Sequence, residues 1–176
     1  MSFINPKNAI EALDIRPGMT VADFGCGAGF YTIPFAQRLG ETGKVYAFDI
    51  RAEMLEVVRS KARTFGLNNV EAVRADLERP EGSHLKAAST DLVIVSNILF
   101  QVEDKKTLAA EALRILKPGG RILAVEWSEE KFYFGPPLKS RLNRKEAEDI
   151  FLKAGLRFEK EFSAGDHHYG LIFQKP

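Results

Sequence analysis

The chain has 176 residues, 45% of them hydrophobic and 28% charged, which is enough for one core and short of the length that asks for two; a single domain over residues 1–176 is expected. Twenty-five Lys plus Arg against 24 Asp plus Glu leave a formal charge of +1, which excludes a bulk electrostatic grip on nucleic acid. Apolar runs such as Leu92 to Val95 are strand-sized and far below the roughly 20 residues that span a bilayer, no signal peptide is expected, and a lone cysteine cannot close an internal disulfide, so a cytoplasmic protein is expected.

In chain order, Asn5 to Leu13 is an amphipathic helix with Ile10 and Leu13 on one side, expected to lie over the mouth of a ligand site; Pro17-Gly18 then breaks the chain. Thr20 to Phe24 is an apolar strand that delivers Asp23 into Gly25-Cys26-Gly27-Ala28-Gly29. A helix is expected from Gly29 to Leu39, with Pro34 in its first turn, because a proline deeper inside would cost about 3 kcal/mol. Lys44 to Phe48 is the second strand, ending at Asp49, and Ala52 to Phe65 a helix stopped by Gly66. Val70 to Arg74 is the third strand, and the polar segment Leu77 to Ser89 a loop.

Asp91 to Ser96 is continuously apolar between its ends, as a strand covered on both faces should be. A helix over Lys105 to Leu116 meets Pro118-Gly119-Gly120, which turns the chain into a fifth strand, Arg121 to Glu126. Ser128 to Leu142 is a loop rich in aromatics, Arg144 to Ala154 a helix ending at Gly155, and Leu156 to Phe162 pairs with His168 to Gln174 across Gly165-Asp166. The alternation of strand and helix predicts an α/β fold with a doubly wound, mostly parallel sheet.

The glycine loop carries the chemistry. Leaving a strand for a helix with no side chain between ligand and peptide is what glycine supplies. The dinucleotide pattern G-x-G-x-x-G would need a small residue at Phe30, and no phosphate-wrapping G-x-x-x-x-G-K-[ST] run is present. A carboxylate at Asp23, about 5 Å from a pyrophosphate, would cost roughly 3 kcal/mol at an effective dielectric near 20. The loop suits a nucleoside that carries an ammonium and a sulfonium and no phosphate.

These residues resemble a known family. Asp23-x-Gly25-x-Gly27-x-Gly29 with Asp49, then Arg74-Ala75-Asp76-Leu77, the strand Asp91 to Asn97, and Leu113-Arg114-Ile115-Leu116-Lys117-Pro118-Gly119-Gly120-Arg121 are similar, in order, to the motifs of class I S-adenosylmethionine-dependent methyltransferases. The last segment resembles the small-molecule and ubiquinone-biosynthesis-like branch. The resemblance implies a Rossmann-like methyltransferase fold: seven strands, the last antiparallel, and helices on both faces. It also implies a methyl group moved from S-adenosyl-L-methionine, leaving S-adenosyl-L-homocysteine, to a small or medium-sized acceptor through oxygen or nitrogen.

Ligands of open parallel sheets sit beyond the carboxyl ends of the strands. Asp49 is therefore placed on the ribose hydroxyls or, alternatively, at the N-cap of the next helix, with Ile50 against adenine. By resemblance Asp76, with Ala75 and the Leu77 backbone beside it, meets the adenine amino group; a capping or turn role is the alternative. Asp23 meets the methionine ammonium or orders the loop, with Gly25, Cys26, Gly27 and Gly29 supplying backbone. Cys26 reads as a residue that fits a tight turn rather than a nucleophile. Tyr31 and Thr32 flank the cofactor or pack, and Ser96 and Asn97 approach the methionine end or cap their strand.

Displacement at a sulfonium needs alignment first, worth roughly 7 to 11 kcal/mol, and a base only if the acceptor must lose a proton. Glu126, His167 and His168 are the titratable groups expected to face the pocket, and Phe132, Tyr133, Phe134 and Trp127 are candidates to line an apolar acceptor site or to pack on one another. No second ligand group spaces well with the histidines, so no metal site is expected. The partner is a small molecule, with no nucleic acid indicated. Rival readings are a catalytically silent cofactor-binding or partner subunit and a nicotinamide-dependent oxidoreductase.

Overall fold

The computed structural model describes residues 5–130 and 134–176. Its elements are α1 (Pro6–Leu13), β1 (Thr20–Phe24), α2 (Thr32–Leu39), β2 (Lys44–Asp49), α3 (Ala52–Thr64), β3 (Val70–Arg74), β4 (Thr90–Ser96), α4 (Lys105–Ile115), β5 (Leu116–Trp127), α5 (Arg144–Lys153), β6 (Arg157–Gly165) and β7 (His168–Gln174). The seven strands form one sheet in the order β3-β2-β1-β4-β5-β7-β6. Pairs among β1 to β5 are parallel, and β7 runs antiparallel to both β5 and β6. The expected doubly wound sheet with an antiparallel last strand is the one observed.

Period-two alternation sorts the core into two layers. Ala22, Phe24, Val93, Val95, Ile122 and Ala124 meet Leu108, Ala112, Ile115 and Phe151 of α4 and α5 on one face. Val21, Leu92, Ile94, Leu123 and Ile172 meet Ala9, Leu13, Phe35 and Leu39 of α1 and α2 on the other, and Leu55 and Val58 of α3 pack beside Ala47. The order reverses between β1 and β4, with β2 on the far side of β1, so the carboxyl ends of β1 and β4 part to leave a crevice.

Three expectations change. α1 does not lie over the crevice: Asn5 N–H donates to the Ala164 carbonyl at 2.8 Å, the Asn8 amide donates to the Ser163 carbonyl at 3.0 Å, and Ala9 and Leu13 enter the core, so the helix covers a sheet face. α2 begins at Thr32 because Gly29 sits at φ +79°, outside helical space, and Pro34 falls in the first turn as required. β5 begins at Leu116, which pairs with Thr90 before the register jumps to Leu92 opposite Arg121. Pro118-Gly119-Gly120 is thus a bulge inside the strand, with Gly119 at φ +75°.

The loop between β3 and β4 is held by a buried carboxylate. Glu111 of α4, 3% exposed, accepts from the Ser83 hydroxyl and from Ser83 N–H at 3.1 Å, and its other oxygen takes Arg114 Nε at 2.7 Å. Arg114 also donates to the Leu85 carbonyl at 2.8 Å. Glu111→Ala strands both donors, and a loss of about 2–4 kcal/mol in urea unfolding is expected.

Candidate functional site

The crevice has two lobes, near 210 Å³ and 220 Å³, that share Gly25, Arg51, Asn97 and Gln101. Asp49, Ile50, Ala75, Asp76 and Leu77 line the first, together with Ile98 and Val102. Asp23, Cys26, Gly27, Tyr31 and Ser96 line the second, with Phe30 at its edge. Residues expected to meet opposite ends of one nucleoside therefore lie along one continuous groove.

Backbone geometry explains the glycines unequally. A Cβ at Gly25 would be strained at φ +69° and would stand 2.4 Å from Ile98 Cδ1 and 3.2 Å from Ile98 Cβ, so the Ile98 side chain would have to move. At Gly27, φ +49°, a Cβ would meet nothing within 4 Å, so the peptide faces open crevice. Gly29 differs: it is buried, its Cβ position lies 3.1 Å from Val58 Cγ2, and it lines neither lobe. It serves the packing of the loop on α3.

Asp23 is 2% exposed, and its Oδ2 accepts from the Thr32 hydroxyl at 2.6 Å. Burial pushes its pKa up to about 6, against the Thr32 hydroxyl and N–H, which favour the charged form; the Asp49 carboxylate raises it further. No cation stands among these influences. Thr32 is fully buried on Asp23, so it orders the carboxylate and does not flank the crevice itself. The Tyr31 hydroxyl is buried too and is pushed upward by burial and by Asp23.

Asp49 is 5% exposed; its Oδ2 accepts Gly27 N–H at 3.0 Å, and its Oδ1 accepts Arg51 N–H at 2.9 Å and Arg51 Nε at 3.3 Å. It ties the glycine loop to β2 and does not cap α3, whose N-cap is Arg51 with no side-chain capping bond. With two bonds per carboxylate oxygen, Oδ1 is filled and Oδ2 keeps one position for a groove hydroxyl; a second hydroxyl is accepted by displacing the long bond from Arg51 Nε at 3.3 Å. Ile50 is 57% exposed, an apolar plate at the rim. Asp76 accepts from Glu78 N–H at 3.1 Å and Arg79 Nε at 2.8 Å, which makes it a turn former as well as a wall residue.

Cys26 is buried against Ala47, Leu55 and Val58, and burial with the Asp23 and Asp49 charges raises its thiol pKa far above neutrality, which removes it as a nucleophile. Asn97 takes the left-handed conformation at φ +53°, and its Nδ2 lies 3.1 Å from His168 Nε2. His168 is 5% exposed and 4.3 Å, centroid to centroid, from Trp127, while His167 meets the Phe134 ring at 5.2 Å. The two histidines thus stand beside the end of β4, packed on aromatics, and line neither lobe, which corrects the expectation that they face the pocket. Arg141 covers Trp127 at 5.3 Å, and a Cβ at Gly135 would strike that indole at 2.8 Å, so Trp127 supports the loop. Phe132 and Tyr133 lie outside the described residues.

Glu126 corrects an expectation. It is 1% exposed, lines neither lobe, and its Oε1 accepts Leu99 N–H at 2.9 Å. Strand alternation turns it to the face of Ile122 and Ala124, under the segment after β4 and away from the groove. The sequence reading also missed Arg51, Ile98, Gln101 and Val102; extending the rule of strand ends by a few residues past Asp49 and Asn97 would have found them.

The family model described as a methyltransferase domain matches residues 15–159. The ubiquinone/menaquinone biosynthesis C-methyltransferase UbiE of Haemophilus ducreyi is 38% identical over 126 residues, covering 70% of this chain and 47% of the relative, so the chain spans about half the length of the curated relatives it matches. A SAM dependent methyltransferase from Aquifex aeolicus superposes with a TM-score of 0.88 at 27% identity over 97% of this chain and 89% of its own. The [4+2]-cyclase SpnF superposes at 0.82 with 14% identity, over 97% of this chain and 79% of its own, a likeness of fold alone.

Proposed function

Because the chain belongs to the S-adenosylmethionine-dependent methyltransferase family, we propose that residues 1–176 form one catalytic domain that transfers the methyl group to a small-molecule acceptor. The observation that carries this reading is Asp23: a carboxylate 2% exposed that lines the groove at the glycine loop, bonded to the Thr32 hydroxyl and ion-paired to no Lys or Arg among the described residues. The charge of the groove fits the donor: Asp23, Asp49, Asp76 and Glu78 line it, with Arg51 on Asp49 and Arg79 on Asp76, which leaves an acidic excess. That balance favours a cationic ligand and disfavours a pyrophosphate.

When bound, the cofactor supplies a sulfonium-activated methyl group, so the chain's task is alignment. In this reading Asp23 holds the ammonium, Gly25 and Gly27 give the tail close backbone approach, Asp49 accepts the ribose hydroxyls, and Ile50, Ala75, Asp76 and Leu77 hold adenine. Ser96 and Asn97 border the methyl end. Any proton lost by the acceptor goes to solvent, since Glu126, His167 and His168 line neither lobe of the groove and Glu126 and His168 are buried. The UbiE relatives are named C-methyltransferases, which favours carbon as the acceptor atom over the oxygen or nitrogen expected from sequence. A cytoplasmic site of action accords with the free, buried Cys26 and with the lack, among the described residues, of a helix long and apolar enough to cross a membrane.

Titration calorimetry tests the reading: S-adenosylmethionine should bind and NAD should not, and the reverse would make the chain an oxidoreductase. The rival reading is a cofactor-binding subunit without turnover. Release of S-adenosylhomocysteine on adding extract fractions as acceptor supports the enzyme; binding without turnover supports the subunit.

A further inference from the structure

Residues 97–104 join β4 to α4 without a regular element, yet Asn97, Ile98, Gln101 and Val102 wall the groove. Such a segment needs its N–H groups held from outside. Glu78 Oε2 takes those of Glu103 at 2.9 Å and Asp104 at 2.7 Å. Glu126 takes that of Leu99 at 2.9 Å, and the Ile98 N–H also favours its charged form. Ahead of both anchors Asn97 is held left-handed, its N–H on the Val125 carbonyl at 2.8 Å, and the Ile98 side chain abuts Gly25.

We propose that Glu126 is a positioning residue for methyl transfer: its buried carboxyl grips the Ile98–Leu99 backbone and thereby fixes the groove wall that faces the glycine loop. The inference rests on the function proposed above and deepens it. A carboxyl oxygen accepts Leu99 N–H whether or not the group is ionised, so acceptance, not charge, is the property used. Burial pushes this carboxyl up to about 8, against the two N–H groups and Lys105, and Tyr169 is the other titratable group that feels it. At neutral pH the grip is therefore largely that of a neutral acid, which glutamine reproduces.

The test uses the full chain with S-adenosylhomocysteine as probe, by calorimetry, and hydrogen exchange of residues 97–102 by mass spectrometry. Glu126→Gln should stay within about threefold of wild type in both, from pH 6.5 to 7.5. Glu126→Ala should bind at least tenfold more weakly, with exchange at 97–102 at least tenfold faster while residues 122–125 stay protected. If it does not fold, Glu126→Met, which fills the space without an acceptor, replaces it. Phe151→Leu, a core variant away from the groove, should lower the melting temperature while leaving affinity and the protection of 97–102 in place. Wild-type affinity and protection in the alanine or methionine variant would overturn the proposal, as would a glutamine variant as impaired as they are. If wild type does not bind the probe, the methyltransferase reading fails, and the exchange pattern alone decides whether Glu126 holds the wall.

Discussion

Asp23→Asn should produce a protein that is more stable without ligand and a poorer binder of S-adenosylmethionine. Burial holds the Asp23 carboxyl near 6, above its unfolded value of 3.8. A raised folded value means the native state binds the extra proton, so the stability contributed is complete below about 4 and is lost as pH rises through about 6. Above that, the rise from 3.8 to about 6 corresponds to roughly 3 kcal/mol carried as a cost by the ligand-free protein. Asparagine keeps an acceptor for the Thr32 hydroxyl and abolishes the titration, while its buried amide N–H groups cost about 1–2 kcal/mol in return. A net gain of about 1–2 kcal/mol at pH 7.5 is expected by thermal unfolding, with the loss of stability between pH 4 and 6 shallower than in wild type because the Asp23 component is gone while that of Glu126, raised to about 8, remains.

Ligand inverts the order. A buried carboxylate meeting an ammonium is worth roughly 2–3 kcal/mol, so the variant should bind about 100-fold more weakly. Ligand at 100 times its dissociation constant stabilises wild type by about 2.7 kcal/mol and the variant by far less. Wild-type affinity should itself fall below pH 6, as protonation of Asp23 removes the charge. Equal affinity of the two proteins would remove Asp23 from the ammonium role.

What was legible in the sequence follows from which physics is local. Strand ends at Phe24, Asp49 and Arg74 were readable because apolar runs stop where charges and glycines begin. The start of α2 was not, since the left-handed conformation of Gly29 is set by the buried packing of that glycine against Val58. β5 was read too short because proline and glycine mark a turn, whereas here Thr90 pairs with Leu116 ahead of the bulge and Lys175 N–H closes on the Gly120 carbonyl at 2.8 Å. The first-contact residues of the groove were reachable by counting from strand ends. Their supports were not: Thr32 on Asp23, Gly27 on Asp49 and Leu99 on Glu126 are pairings between elements, and only the face of Glu126 could have been inferred, from its parity with Ala124 and Ile122.

Asp49→Ala carries the second large effect, and it has two parts that must be separated. The carboxylate already serves Gly27 and Arg51, so its loss frees the glycine loop as well as any ribose contact. Loss of charge-assisted bonds to two hydroxyls weakens S-adenosylhomocysteine binding by about 1.5–3 kcal/mol, or roughly 10- to 150-fold. A ligand cycle divides the parts: the 2′-deoxy and 3′-deoxy forms of S-adenosylhomocysteine are titrated into wild type and variant. If Asp49 holds the ribose, each deletion costs wild type about 1 kcal/mol or more and costs the variant almost nothing. If Asp49 acts only through the loop, both proteins lose the same amount on each deletion, and the ribose assignment falls while its structural role stands. Coupling, not the bare loss of affinity, is the quantity that decides, because a freed loop weakens every ligand alike.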